Sequence, residues 1–352
     1  MNGKCFLASY VATLALSTAL YTATVAGSDV LYIGDGADNT VKHFDADTGD
    51  YLGVFVKKGN SPLKGPMGLV FAPTTGDLLL SNQNSGTNKS GELLAFDGGT
   101  GDYLGALIFH NDPDAPFAPR GIIISGDTIF AASTSSFGPG KTNPPGNLLA
   151  YGTDGALLAD LTPDPGNFPW EFHPRGVVMG PDGLLYVSVT DDLEPKSDSF
   201  NPVPGWILRF DPSTGSFVDV FASYENHSDC SKDLHRPEGL VFGSDGRLYV
   251  TAFRADATDN DKILIFDVAG ACVGNIDLDQ VGEAPRTYAQ AILFGPDGNL
   301  FVPINTTGEV RRYDVTDSAF PYTTFVAPGG PLGSPWYLTF GATDPGTLDY
   351  LQ

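Results

Sequence analysis

PMGLVF at 66–71, PRGIII at 119–124, PRGVVM at 174–179 and PEGLVF at 237–242 are four copies of one phrase. AQAILF at 289–294 and PWYLTF at 335–340 are degenerate fifth and sixth copies, and consecutive starts lie 46 to 63 residues apart. A period of this length built from short apolar runs specifies a β-propeller. The unit at 237–278 shows the plan: an innermost strand PEGLVF, a hairpin turn GSDG, a second strand RLYVTAF, a polar loop, a third strand KILIFD and an outermost strand CVGNID. The Asp-Gly pair supplies the positive φ such a hairpin needs, and each run has the length and alternation of a half-buried strand.

The other units repeat it. Second strands read DLLLSNQ (77–83), TIFAAS (128–133), LLYVSVT (184–190) and NLFVPIN (299–305). Third strands end on an aromatic and one more residue, giving Phe96, Tyr151, Phe210, Phe266 and Tyr313. A ring at a fixed place in each blade fills the wedge between neighbouring sheets. The chain ends explain closure. VLYIGDG (30–36), TVKHFD (40–45) and YLGVFV (51–56) lack an innermost strand, and PWYLTF arrives alone near the C-terminus. The expected fold is all-β: six four-stranded antiparallel blades, one stitched from both termini so that no sheet edge is left open there. TLDYL at 347–351 also reads as a second strand and competes with VLYIG for that slot.

The remaining bounds concern location and partners. One cation, Lys4, precedes an apolar stretch to about Leu20, and small residues surround Ala26. This reads as a signal peptide over 1–27, with the propeller over 28–352; a membrane anchor is the alternative, and the small residues favour cleavage. An exported protein, extracellular or periplasmic and not membrane-inserted after cleavage, is the expectation. The net charge of −23 repels nucleic acid and anionic lipid, which leaves a small molecule, a protein or a peptide as partner. Many of the acids sit in turns, where Asp is a turn former. Cys230 and Cys272 remain after cleavage and invite a disulfide. Cys230 falls in a loop of one face and Cys272 begins an outermost strand near the other, so the pairing stays open.

The phrase P-x-G followed by three apolar residues, the D-G turn, the apolar-Tyr-apolar strand and the Phe-Asp ending resemble the NHL repeat. VLYIGDGADNTVKHFD at 30–45 carries the fullest match. Similar repeats occur in six-bladed relatives: the gluconolactonase group, streptogramin lyase and peptidyl-hydroxyglycine lyase. The resemblance implies the fold, which hosts binders, lactonases and lyases alike. The gluconolactonase group implies a Ca2+ held around the channel by Glu, Asn and Asp, for which Glu238, Asn82, Asn305 and Asp35 are the residues of suitable type. Its Glu-Gly-Pro start near the first blade is missing here. The peptidyl-hydroxyglycine lyase implies Zn2+ on channel histidines, and His173 (FHPRG) and His235 (LHRPEG) precede consecutive inner strands. No HxH or HExxH spacing accompanies them, and exposed loop histidines are the alternative.

Loop length separates the two faces. Connections from first to second and from third to outermost strand are short turns, whereas 134–146, 191–205 and 223–236 are long. All the long ones fall on the face where the inner strands enter the channel, the usual place for a ligand. The residue after each Pro, or its equivalent, then rings the channel mouth: Met67, Arg120, Arg175, Glu238, Gln290 and Trp336. Two arginines beside a glutamate either clamp an anion or form a self-contained salt bridge that plugs the channel. The acidic loops 191–198 and 256–261 either share a Ca2+ or are solvated. Sequons begin at Asn88, Asn226 and Asn305. No nucleophile elbow, Walker loop or dinucleotide fingerprint is present. The leading expectation is a binding or interaction module with its site at the channel mouth; the alternative is a metal-assisted lactonase or lyase at the same place.

Overall fold

Each unit folds as a four-stranded antiparallel meander. A computed structural model describes residues 29–134, 145–191 and 203–341. Its 24 strands form six four-stranded sheets, with no α-helix among the described residues. The N-terminal strands Val30–Asp35, Thr40–Asp45 and Tyr51–Val56 take Pro335–Phe340 as their innermost partner, with Leu31 opposite Phe340 and Tyr32 opposite Thr339. The closing blade is therefore the one expected from the two chain ends. Residues 1–27 and TLDYL lie outside the described residues.

Asp35 fastens this closure. Its carboxylate accepts the backbone N–H groups of Ala37, Gly333 and Ser334 and the ammonium of Lys42, which also donates to the carbonyl of Pro331. One buried acid thus ties the first strand to the segment that leads into the last.

The repeated residues have repeated jobs. The third-strand aromatics Phe44, Phe96, Tyr151, Phe210, Phe266 and Tyr313 are all buried. The last Phe of an inner strand meets the aromatic of the preceding blade's second strand edge to face: Tyr32 with Phe71, Tyr186 with Phe242, Tyr249 with Phe294, Phe301 with Phe340. Such pairs contribute about 0.5–1.5 kcal/mol each beyond the area they bury. The Asp that follows the third strand folds the next hairpin. The carboxylates of Asp45, Asp97, Asp211 and Asp314 each accept the N–H two residues on. Much of the acidity of the short-turn face is therefore turn chemistry.

The glycine of P-x-G has a steric cause. A Cβ on Gly68 would lie 2.4 Å from the carbonyl oxygen of Arg120, and one on Gly176 would lie 2.4 Å from that of Glu238. Gly121 and Gly239 face the carbonyls of Arg175 and Gln290 at 2.9 Å. Neighbouring inner strands thus approach backbone to backbone around the ring. Gly176→Ala forces two strands apart and is expected to lose about 1–3 kcal/mol, read as a lower urea midpoint; an unchanged midpoint refutes close approach as the reason for the glycine.

One expectation needs correction and one open question is answered. The inner strands expected at 237–242 and 289–294 shorten to Leu240–Phe242 and Leu293–Phe294. The chain enters both blades through a left-handed residue, Arg236 (φ 41) or Tyr288 (φ 55), which delays the ladder. The pairing left open by the sequence is made: Cys230 and Cys272 form a disulfide with a Cα–Cα distance of 5.3 Å. The 223–236 connection packs its short 3-10 turn, Cys230–Asp233, against the outermost strand Cys272–Asp277 instead of staying on its own face.

Candidate functional site at the channel mouth

Arg120, Arg175 and Gln290, which follow the Pro or its equivalent in their inner strands, gather around the carboxylate of Glu238. Glu238 is fully buried. Its Oε2 accepts from Arg120 Nη1 at 3.1 Å, its Oε1 is ion-paired with Arg175 Nη1, and Arg236 Nε stands 3.4 Å from Oε1. Gln290 Oε1 accepts a second bond from Arg120 Nη1 at 3.2 Å. Met67 is buried, and Trp336 is half-buried with its indole N–H donated to Ser334 Oγ. The arginine–glutamate contact raised by the sequence is thus real, with a third guanidinium added.

Electrostatics at this ring are unbalanced. Burial alone would raise the Glu238 pKa, but the charges of Arg120, Arg175 and Arg236 outweigh it and hold the carboxyl below its ordinary value. Burial pushes Arg175 down to about 9, opposed by Glu238 and reinforced by Arg120 and Arg236. Arg120 moves the other way: burial lowers it, and the charge of Glu238 more than compensates. One carboxylate serves Arg120 well and Arg175 incompletely. Arg175 remains protonated at neutral pH, with a buried Nε that has no hydrogen-bond partner.

Sequence reasoning missed the residues that reach the ring from loops. Arg236 lies over Phe253 and Tyr288, its guanidinium carbon 5.2 and 5.7 Å from the ring centroids, and those two rings stack at 4.6 Å. Arg286 lies against the same pair at 4.9 and 5.1 Å and is ion-paired with buried Asp261. Left-handed backbone at Arg236 and Tyr288 is what turns these side chains inward. A basic residue directly before the Pro was the only available signal. Below the ring, the channel narrows to a cavity of about 70 Å³ lined mainly by glycines and aliphatic side chains, among them Leu69, Ile122, Val177, Leu240 and Ile292. That holds a few waters and no ligand of ordinary size.

The residues named for a metal do not converge. Asp35 is consumed by the closure described above. Asn82 donates to Glu92 Oε2 at 2.8 Å and accepts the Lys64 N–H at 2.7 Å, while the Asn305 amide donates to Ser334 Oγ at 2.8 Å. Glu238 is surrounded by cations, which repel a metal ion. His173 is buried with Nε2 2.9 Å from Glu171 Oε2, and His235 is part-buried with Nδ1 lacking a hydrogen-bond partner. Neither is the exposed loop histidine that was the alternative; burial pushes both imidazole pKa values down. Among the described residues, no three His, Cys, Asp or Glu are placed to hold a metal ion. Most of the acidic loop 191–198 lies outside the described residues. In the other, Asp259 and Asp256 are held by Lys262 and by the Thr258 N–H respectively.

No family model matches this chain, and no curated protein does. Solved structures match over most of its length. A periplasmic gluconolactonase from Pseudomonas aeruginosa is 16% identical, with 89% of this chain and 98% of that one covered at a TM-score of 0.51. A catalytically inactive virginiamycin B lyase from Staphylococcus aureus, solved with quinupristin, is 15% identical, with 88% of each chain covered and a TM-score of 0.51. A Bacteroides caccae protein of unknown function is 13% identical, with 89% and 98% covered and a TM-score of 0.52. At these identities the likeness concerns architecture: the chain is a six-bladed β-propeller with lactonases and lyases among its structural neighbours.

Proposed function

We propose that this chain is an exported, NHL-like propeller that binds a negatively charged ligand at the channel mouth on its long-loop face. The ligand is a small molecule or an acidic group of a peptide or protein. One observation carries the reading: three guanidiniums converge on a single buried carboxylate in a chain of net charge −23. A structural plug needs one cation per acid, and Arg120 and Arg175 alone already outnumber Glu238, an excess that is expensive to bury unless something else balances it. The stacked Phe253 and Tyr288 add apolar surface beside the charge. Export rests on the apolar N-terminal stretch and agrees with the disulfide, which belongs to an oxidising compartment. No described helix is long and apolar enough to cross a membrane.

The test is a thermal-shift screen of small anions at constant ionic strength, since a ligand of the folded state raises Tm by mass action. Anions are expected to stabilise the wild type and not Arg120→Ala. Binding that survives combined replacement of Arg120, Arg175 and Glu238 refutes the site.

A second reading, a lactonase or lyase at the same mouth, draws on His235. This imidazole directly precedes Arg236 in the chain, and burial lowers its pKa, which favours the unprotonated form that can accept a proton. The metal-assisted form predicts lactone hydrolysis abolished by EDTA together with a fall in Tm. Neither effect is expected if the channel mouth only binds.

A further inference from the structure

Resting on that reading, we infer that the mouth is a carboxylate site with two places, one filled internally by Glu238 and the other formed by Arg120 and Gln290. Arg120 and Arg175 carry two charges against the one of Glu238, and no second described carboxylate pairs with either. Their shares are unequal in access. The Arg175 side chain is 2% exposed and that of Arg120 13%, so a ligand arriving from the long-loop face reaches Arg120.

Gln290 supplies the complementary donor. A guanidinium only donates, so the amide atom that faces Arg120 Nη1 at 3.2 Å has to be the oxygen. The amide nitrogen therefore faces away from Arg120. A carboxylate seated there takes one bond from the guanidinium and one from the amide. The positive charge that Glu238 leaves unbalanced calls for an anion, and a planar carboxylate suits a guanidinium fork as Glu238 already does. The cavity beneath is too small for a ligand, so the ligand's charged end stops at the ring and its body remains at the mouth beside Tyr288.

The deciding experiment places the second carboxylate covalently. Gln290→Glu is expected to raise Tm by on the order of 2 °C and to weaken propionate binding at least tenfold, because the new side chain occupies the second carboxylate place. Gln290→Ala is expected to weaken propionate at least fivefold without that gain. A lower Tm for Gln290→Glu, propionate affinity indifferent to both changes, or no propionate binding by the wild type overturns the inference. Sulfate, measured alongside at equal ionic strength, separates the two levels. If sulfate stabilises the wild type through Arg120 and propionate does not, the anion-binding reading stands and the carboxylate site falls. If neither anion binds, both fall.

Discussion

Glu238→Ala is expected to lower the unfolding free energy by about 3–5 kcal/mol, the range for removing one partner of a buried ion pair. The loss does not come mainly from the missing attraction. It comes from the guanidiniums left behind: Arg175 is 1% exposed and cannot turn to water, and Arg120 retains only Gln290 and the neighbouring Tyr337. Glu238→Gln, which keeps the shape and one acceptor oxygen, is expected to lose less. The sign with pH follows from the direction of the shift. A carboxyl held below its ordinary value contributes stability that is fully present above about pH 4.3, its unfolded value, and is lost as pH falls through the folded one. The gap between wild type and Glu238→Ala in urea unfolding is therefore constant near neutrality and narrows below about pH 4. A deficit under 1 kcal/mol at pH 7, or one that widens in acid, contradicts the burial of an acid–arginine cluster at the mouth.

The parts of this cluster were unequally legible in the sequence, for a physical reason. Arg120, Arg175, Glu238 and Gln290 occupy the same place in a repeated phrase, and a repeat fixes register. Once strands alternate and adjacent inner strands touch through Gly68, Gly121, Gly176 and Gly239, the preceding residue has to meet its counterparts around the ring. The wedge aromatics and the split closing blade were readable on the same ground. Arg236, Phe253 and Tyr288 were not, because loop conformation places them, and a left-handed arginine or tyrosine leaves no mark in composition or spacing. The metal candidates show the converse. Asn82, Asn305 and Asp35 stand at equivalent strand ends and have suitable chemistry, yet local hydrogen bonds had already claimed them. A side chain's type says what it can do; only its neighbours say whether it is available.

Replacing Cys230 and Cys272 together by Ser is expected to lower stability by about 4 kcal/mol, the chain-entropy value for a loop of this length, the two residues being 42 apart. Here the bond joins a connection between two blades to the outermost strand of the second. The connection is not held by sulfur alone: Leu234 is fully buried, and the Asp229 carboxylate accepts the N–H groups of Ser231 and Cys272 at 2.8 and 3.3 Å. Those contacts preserve the fold in the variant but do not restrict the unfolded chain, so the loss is expected in full at the level of global unfolding. The same connection continues into His235 and Arg236, which links the bond to the site. A looser 223–236 segment positions the third guanidinium less firmly, so anion affinity is expected to fall with stability, whereas a purely distant staple would leave it unchanged. Reductant provides the internal control: it is expected to lower Tm in the wild type and leave the double Ser variant unmoved. Equal melting temperatures with and without reductant, in wild type whose thiols are shown to have become titratable, exclude the disulfide as a stabilising element of this propeller.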